Sequence, residues 1–90
     1  MPNYALLPEH IREGMQLYLE HGIEPGSFLR AALENKLVEA FACADAENSA
    51  RMLDVAKFLY NECPMNCRGS EEAVKAWIKR HADAREKAHA

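Results

Sequence analysis

Cysteine is scarce and odd in number, three in 90 residues. An odd count does not close into a framework of bridges, so the sequence does not read as a small secreted disulfide domain. Long apolar runs are missing as well. No stretch approaches the roughly 18 to 20 residues that a membrane-crossing helix needs, and Met1-Pro2-Asn3 lacks the basic start and apolar centre of a signal peptide. These absences predict a cytoplasmic protein. Positive charge is not in excess: 11 Lys and Arg against 14 Asp and Glu give a net charge of -3, which supplies no general attraction to phosphate backbones. Alternating, β-branched segments are nearly absent, which argues against a sheet. No glycine-rich phosphate loop occurs, since Gly22-Ile23-Glu24-Pro25-Gly26 is short and interrupted by proline. No Ser, His and Asp stand in a recognisable local context. A non-enzymatic protein without a cofactor is the expectation.

What is present is a set of helical stripes. With 49% hydrophobic and 28% charged residues, the chain has the composition of a single globular domain, able to bury roughly 60 to 65% of its unfolded surface. Leu7-Pro8-Glu9-His10 is a helix start, with Pro in the first turn and Glu9 at the positive end of the dipole. Ile11, Met15, Tyr18 and Leu19 follow at helical spacing, and Gly22 is placed to end the helix in a left-handed cap. Pro25 or Ser27 begins a second stripe of Leu29, Leu33, Leu37, Ala40, Phe41 and Ala44. It forms one helix to about residue 44, or two with a break at Asn35-Lys36. Asp45 is a suitable N-cap for a helix carrying Met52, Val55, Ala56, Leu59 and Cys63, with Leu53, Phe58 and Tyr60 widening its apolar face. This helix reads as the most central, and Pro64 stops it. Gly69 and Ser70 allow a reversal and cap a last helix that turns Val74, Trp77, Ile78 and Ala82 inward. The prediction is an all-α bundle of four to five short helices over residues 1 to 81, with a frayed, charged tail over 82 to 90.

The residues with chemical potential are few. Cys63 and Cys67 form C-x-x-x-C, one residue longer than the usual redox and zinc-knuckle spacing. A zinc site needs two more ligands, for which Cys43 and one of His10, His21 or His81 are the candidates. Cys63 also continues the Leu59 stripe and reads first as a small buried residue. Cys67 falls in a loop, as an exposed thiol or a partner for Cys63. His10 and His21 lie at the ends of the first helix, where structural roles are common. Glu34, Glu39, Asp45 and Glu47 form an acidic face, able in principle to bind a cation or move a proton but ordinarily just solvated. Lys75, Lys79, Arg80, Arg85 and Lys87 are interleaved with Glu71, Glu72, Asp83 and Glu86, the pattern of a solvated helix before that of a nucleic-acid binder. Tyr60 and Trp77 read as core or core-edge aromatics. Zinc or thiol chemistry and weak nucleic-acid binding are therefore alternatives to a role in protein binding.

Leu7-Pro8-Glu9-His10, Gly14, Tyr18, Glu20-His21-Gly22-Ile23, Pro25-Gly26-Ser27-Phe28-Leu29, Leu33-Glu34-Asn35, Glu39-Ala40-Phe41, Ala44-Asp45, Leu59-Tyr60-Asn61, Pro64, Cys67, Gly69-Ser70 and Ala76-Trp77-Ile78 make up a pattern that resembles short helical accessory proteins encoded by bacteriophages and prophages. The resemblance covers about residues 6 to 79 and rests on turn, cap and core residues. It implies a small protein in a bacterial host cell that acts by stoichiometric binding to a host or viral protein. Inhibition of a host defence system, of the anti-CRISPR or anti-restriction type, is one form of such binding. The apolar faces, broad for so short a chain, also suit a homodimer.

Overall fold

The computed structural model describes residues 2–89. Among them a short 3-10 turn at Tyr4–Leu6 precedes six helices: α1 (Glu9–His21), α2 (Ser27–Leu33), α3 (Leu37–Cys43), α4 (Ala46–Ala50), α5 (Met52–Glu62) and α6 (Glu71–His89). A second 3-10 turn, Met65–Cys67, joins α5 to α6. The fold is all-α, as the helical stripes predict, and no strand occurs among the described residues. None of these helices is long and apolar enough to cross a membrane.

Local chemistry explains where each helix ends. Gly22 closes α1 at φ 66, ψ 26, and its N–H bonds back to the Tyr18 carbonyl. A left-handed residue at this position satisfies carbonyls that the helix leaves open. The stretch over 27 to 44 is two helices, because Asn35 sits at φ 64 and reverses the chain between α2 and α3. Asn tolerates that conformation better than most side chains. The residue preceding α2 is Gly26, and neither Pro25 nor Ser27 caps its start. Asp45 does cap α4, its Oδ1 accepting from the Asn48 N–H at 2.8 Å. That bond, followed by burial acting the other way and by the His10 charge, sets the Asp45 carboxyl below the ordinary range.

The Asp45 helix is not continuous. It breaks at Arg51, which separates α4 from α5 and raises the helix count to six. The Arg51 guanidinium holds the break by donating to the Leu6 carbonyl at 2.9 Å and to Asp54 at 3.0 Å.

The core gathers Leu7, four residues of α1 (Ile11, Met15, Tyr18 and Leu19), Phe28, Leu29 and Leu33 of α2, Val55 and Phe58 of α5, and Val74 of α6. Tyr18 is its hub. The Tyr18 hydroxyl donates to the Cys67 carbonyl at 2.6 Å, and the Tyr18 carbonyl accepts from the Trp77 indole at 2.9 Å. Burial holds the Tyr18 phenol far above its usual titration range, so it remains a donor. At the corner, the Gly69 N–H donates to the Leu33 carbonyl at 2.7 Å, and Ser70 Oγ accepts from the Ala73 N–H at 3.1 Å to start α6.

Helix α6 continues through residue 89, so the tail expected to fray from residue 82 is helical as far as the described residues extend. Alanine, arginine, glutamate and lysine are good helix formers. The Lys79–Asp83 pair at 3.2 Å and the Arg85 guanidinium on the His21 carbonyl support it further. Residue 90 lies outside the described residues.

Candidate functional site

The cysteine corner is a closed unit. The Cys67 Sγ donates to the Pro64 carbonyl at 3.0 Å, with Cys63 beside it. The hydrogen-bonding contact with Cys67, then burial, push the Cys63 thiol well up, while the same contact draws Cys67 down against its burial. Cys63 is buried, as the stripe predicts. Cys67 is buried too, contrary to its expected place as an exposed loop thiol, because the 3-10 turn folds it beneath Tyr18.

Cys43 is the exposed cysteine. It faces the start of α2, beside Ser27 and Phe28, apart from the corner. His10 is held by Asp45 at 2.9 Å and Glu47 at 3.4 Å, one carboxylate on each ring nitrogen. His81 stacks on Trp77 with ring centroids 4.9 Å apart. The proposed zinc ligands are thus dispersed. Among the described residues no group of three or more His, Cys, Asp or Glu is placed to hold a metal ion.

The acidic and basic candidates are largely occupied with each other. Glu34, expected on a solvated face, is buried and bonded to Arg30 at 2.9 Å and Lys36 at 3.3 Å. Arg30 reaches on to Glu24, and Lys36 to Glu71 at 3.4 Å. Ion pairs of this kind offset the cost of burying a carboxylate. On α6, Lys75 pairs with Glu71 at 3.0 Å, Lys79 pairs with Asp83, and the Arg80 guanidinium lies 5.7 Å from the Trp77 ring centroid. These cations brace their own helix.

The surface that remains unsatisfied is apolar. The turn at Asn35 rotates α3 so that only Ala40 enters the core, leaving Leu37 65% and Val38 83% exposed with Phe41 beside them. Opposite stands α5. Val55 and Phe58 are buried, while Leu53 is 67% and Tyr60 79% exposed, so Tyr60 is not the core aromatic that the sequence suggests. An eleven-residue helix buries one side only, and positions 53, 56 and 60 fall together on the other at helical spacing.

Between the two helices runs a groove. Leu37, Ala40, Met52 and Val55 shape one end, a hollow of about 130 Å³. Ala32, Ala56 and Leu59 continue it into a second hollow of about 270 Å³ reaching Tyr60, Arg68 and Gly69. Small-molecule sites usually enclose about 300 to 1,000 Å³, and each hollow falls short of that. Single exposed apolar residues are ordinary on any surface; here the two hollows join along Ala32, Asn35, Ala56 and Leu59 into one largely apolar lining. Sequence periodicity could not separate this face from the core, since both are apolar. No protein-family model, no curated protein and no solved structure matches the chain.

Proposed function

We propose that this chain is a non-enzymatic accessory protein of the phage type that acts by stoichiometric binding to a host or viral protein, through the groove between α3 and α5. The observation that carries this reading is the continuous apolar lining of the groove, Leu37 and Ala40 on one wall with Met52, Val55, Ala56 and Leu59 on the other and Tyr60 at the far end, of which Leu37 is 65% and Tyr60 79% exposed. Burying each large apolar side chain contributes roughly 1.5 to 3 kcal/mol, so a few of them supply a usable docking energy after the costs of association. The Cys67 thiol and the Glu34 carboxylate do not compete with this reading, being engaged in bonds internal to the fold. Inhibition of a host defence system is the narrower form of the same activity.

The test is affinity capture from bacterial lysate with the wild-type chain and with Leu37→Glu and Ala56→Glu, both at exposed positions in the groove lining and both checked for unchanged melting. A partner held one-to-one by the wild type and released by either variant supports the reading. Undiminished capture by both variants places the interaction elsewhere on the molecule. Self-association that Ala56→Glu abolishes, with no partner retained, makes the face a homodimer interface instead.

A further inference from the structure

The charges along this groove say what kind of partner fits it. Of the residues that line its two hollows, Lys36 and Arg68 are cations and none is a carboxylate. Lys36 is already shared between Glu34 and Glu71. Arg68 is different. It lines the hollow beside Tyr60 and makes no ion pair among the described residues. Guanidinium-to-carboxylate bonds are among the stronger ones available to a protein.

The groove runs the length of about two turns of a helix. The α5 wall from Met52 to Tyr60 rises about 12 Å, a little over two helical turns, and its apolar positions repeat at the spacing that an amphipathic helix presents in return. A second copy of the chain is a poor occupant. In a two-fold pairing the same patch lies on both sides, and this patch carries Arg68 with no carboxylate to meet it.

Resting on the docking function proposed above, we infer that the groove receives an amphipathic helix of a partner protein, with apolar anchors between α3 and α5 and an acidic residue at the Tyr60 end that pairs with Arg68. Arg68 is then the specificity-determining residue, and the apolar walls supply most of the affinity.

Fluorescence anisotropy with labelled synthetic helices tests this. Three peptides of about 16 residues, long enough to form helix in water, share one Leu and Phe stripe on an Ala and Gln background and carry either two Glu or two Lys at one end or neither charge. The Glu peptide is expected to bind at least about tenfold tighter than the Lys peptide. Arg68→Gln should bring the two within about twofold, and Ala56→Asp, which puts a charge where the two hollows join, should abolish binding of all three. Equal binding of the Glu and Lys peptides to the wild type overturns the acidic specificity and leaves protein docking standing. Binding by none overturns the helical occupant, and the capture experiment then judges the docking function separately. Sedimentation showing a dimer that Ala56→Asp dissociates assigns the groove to a second copy and overturns the inference.

Discussion

The close approach of α6 to the end of α1 makes a sharp prediction about Gly22. A Cβ placed there would lie 2.2 Å from His81 Cβ and 2.6 Å from His81 Cγ, and the backbone stands at φ 66. Gly22→Ala therefore carries two separable costs. Left-handed backbone costs a side-chain-bearing residue roughly 1 to 2 kcal/mol, and forcing a methyl against a packed neighbour adds about 1 to 3 kcal/mol. The total is about 3 kcal/mol, against roughly 5 to 13 kcal/mol of stability for a chain of this length. Urea unfolding followed by circular dichroism would measure it. The contact is entirely with the His81 side chain, so on a His81→Gly background the cost of Gly22→Ala should fall to the conformational part alone, about 1 to 2 kcal/mol. Gly69 is the control. It stands at φ 105, and a methyl added there would meet no neighbour within 4 Å, so its replacement by Ala should cost the same on both backgrounds. An equal cost for Gly22→Ala with and without the His81 side chain would refute the packing of α6 against the end of α1.

Two further predictions concern titration and reactivity. The His81 ring titrates below its ordinary value of 6.5, through burial first and then the Arg85, Arg80 and His21 charges. As the pH drops below 6.5 the unfolded chain takes up a proton before the folded one does, so stability declines; His81→Phe, which keeps a ring on Trp77, should gain relative to the wild type in that range, and parallel pH profiles of unfolding would contradict this. In native protein a chromogenic disulfide reagent should modify Cys43 rapidly, with Cys63 and Cys67 slower by about a hundredfold or more, since their reaction waits on opening of the corner; three equally fast thiols would show that the corner is not closed.

The turns were legible in the sequence because each is fixed by one residue's own chemistry. Gly22, Asn35, Asp45, Pro64 and Ser70 all act where their types predict. The break at Arg51 was not, since its bonds reach to Leu6, 45 positions away. The groove was hidden for a different reason. Leu37, Phe41, Leu53 and Tyr60 extend the same apolar stripes as Ala40, Val55 and Phe58, and only the rotation of α3 at Asn35 and the one-sided burial of α5 divide the covered residues from the exposed ones. Cys67 was misplaced because its burial depends on Tyr18, 49 positions earlier, whose hydroxyl donates to its carbonyl.

That dependence has a consequence for how the chain folds. Tyr18 makes its two decisive bonds with residues 49 and 59 positions further on, so the slot around that ring stays open until the corner and α6 have docked. Long-range closure of this kind slows folding relative to a bundle built from neighbours alone. Helix α6 is therefore the latch of the domain: its docking, not the formation of any single helix, sets the moment at which the interior shuts.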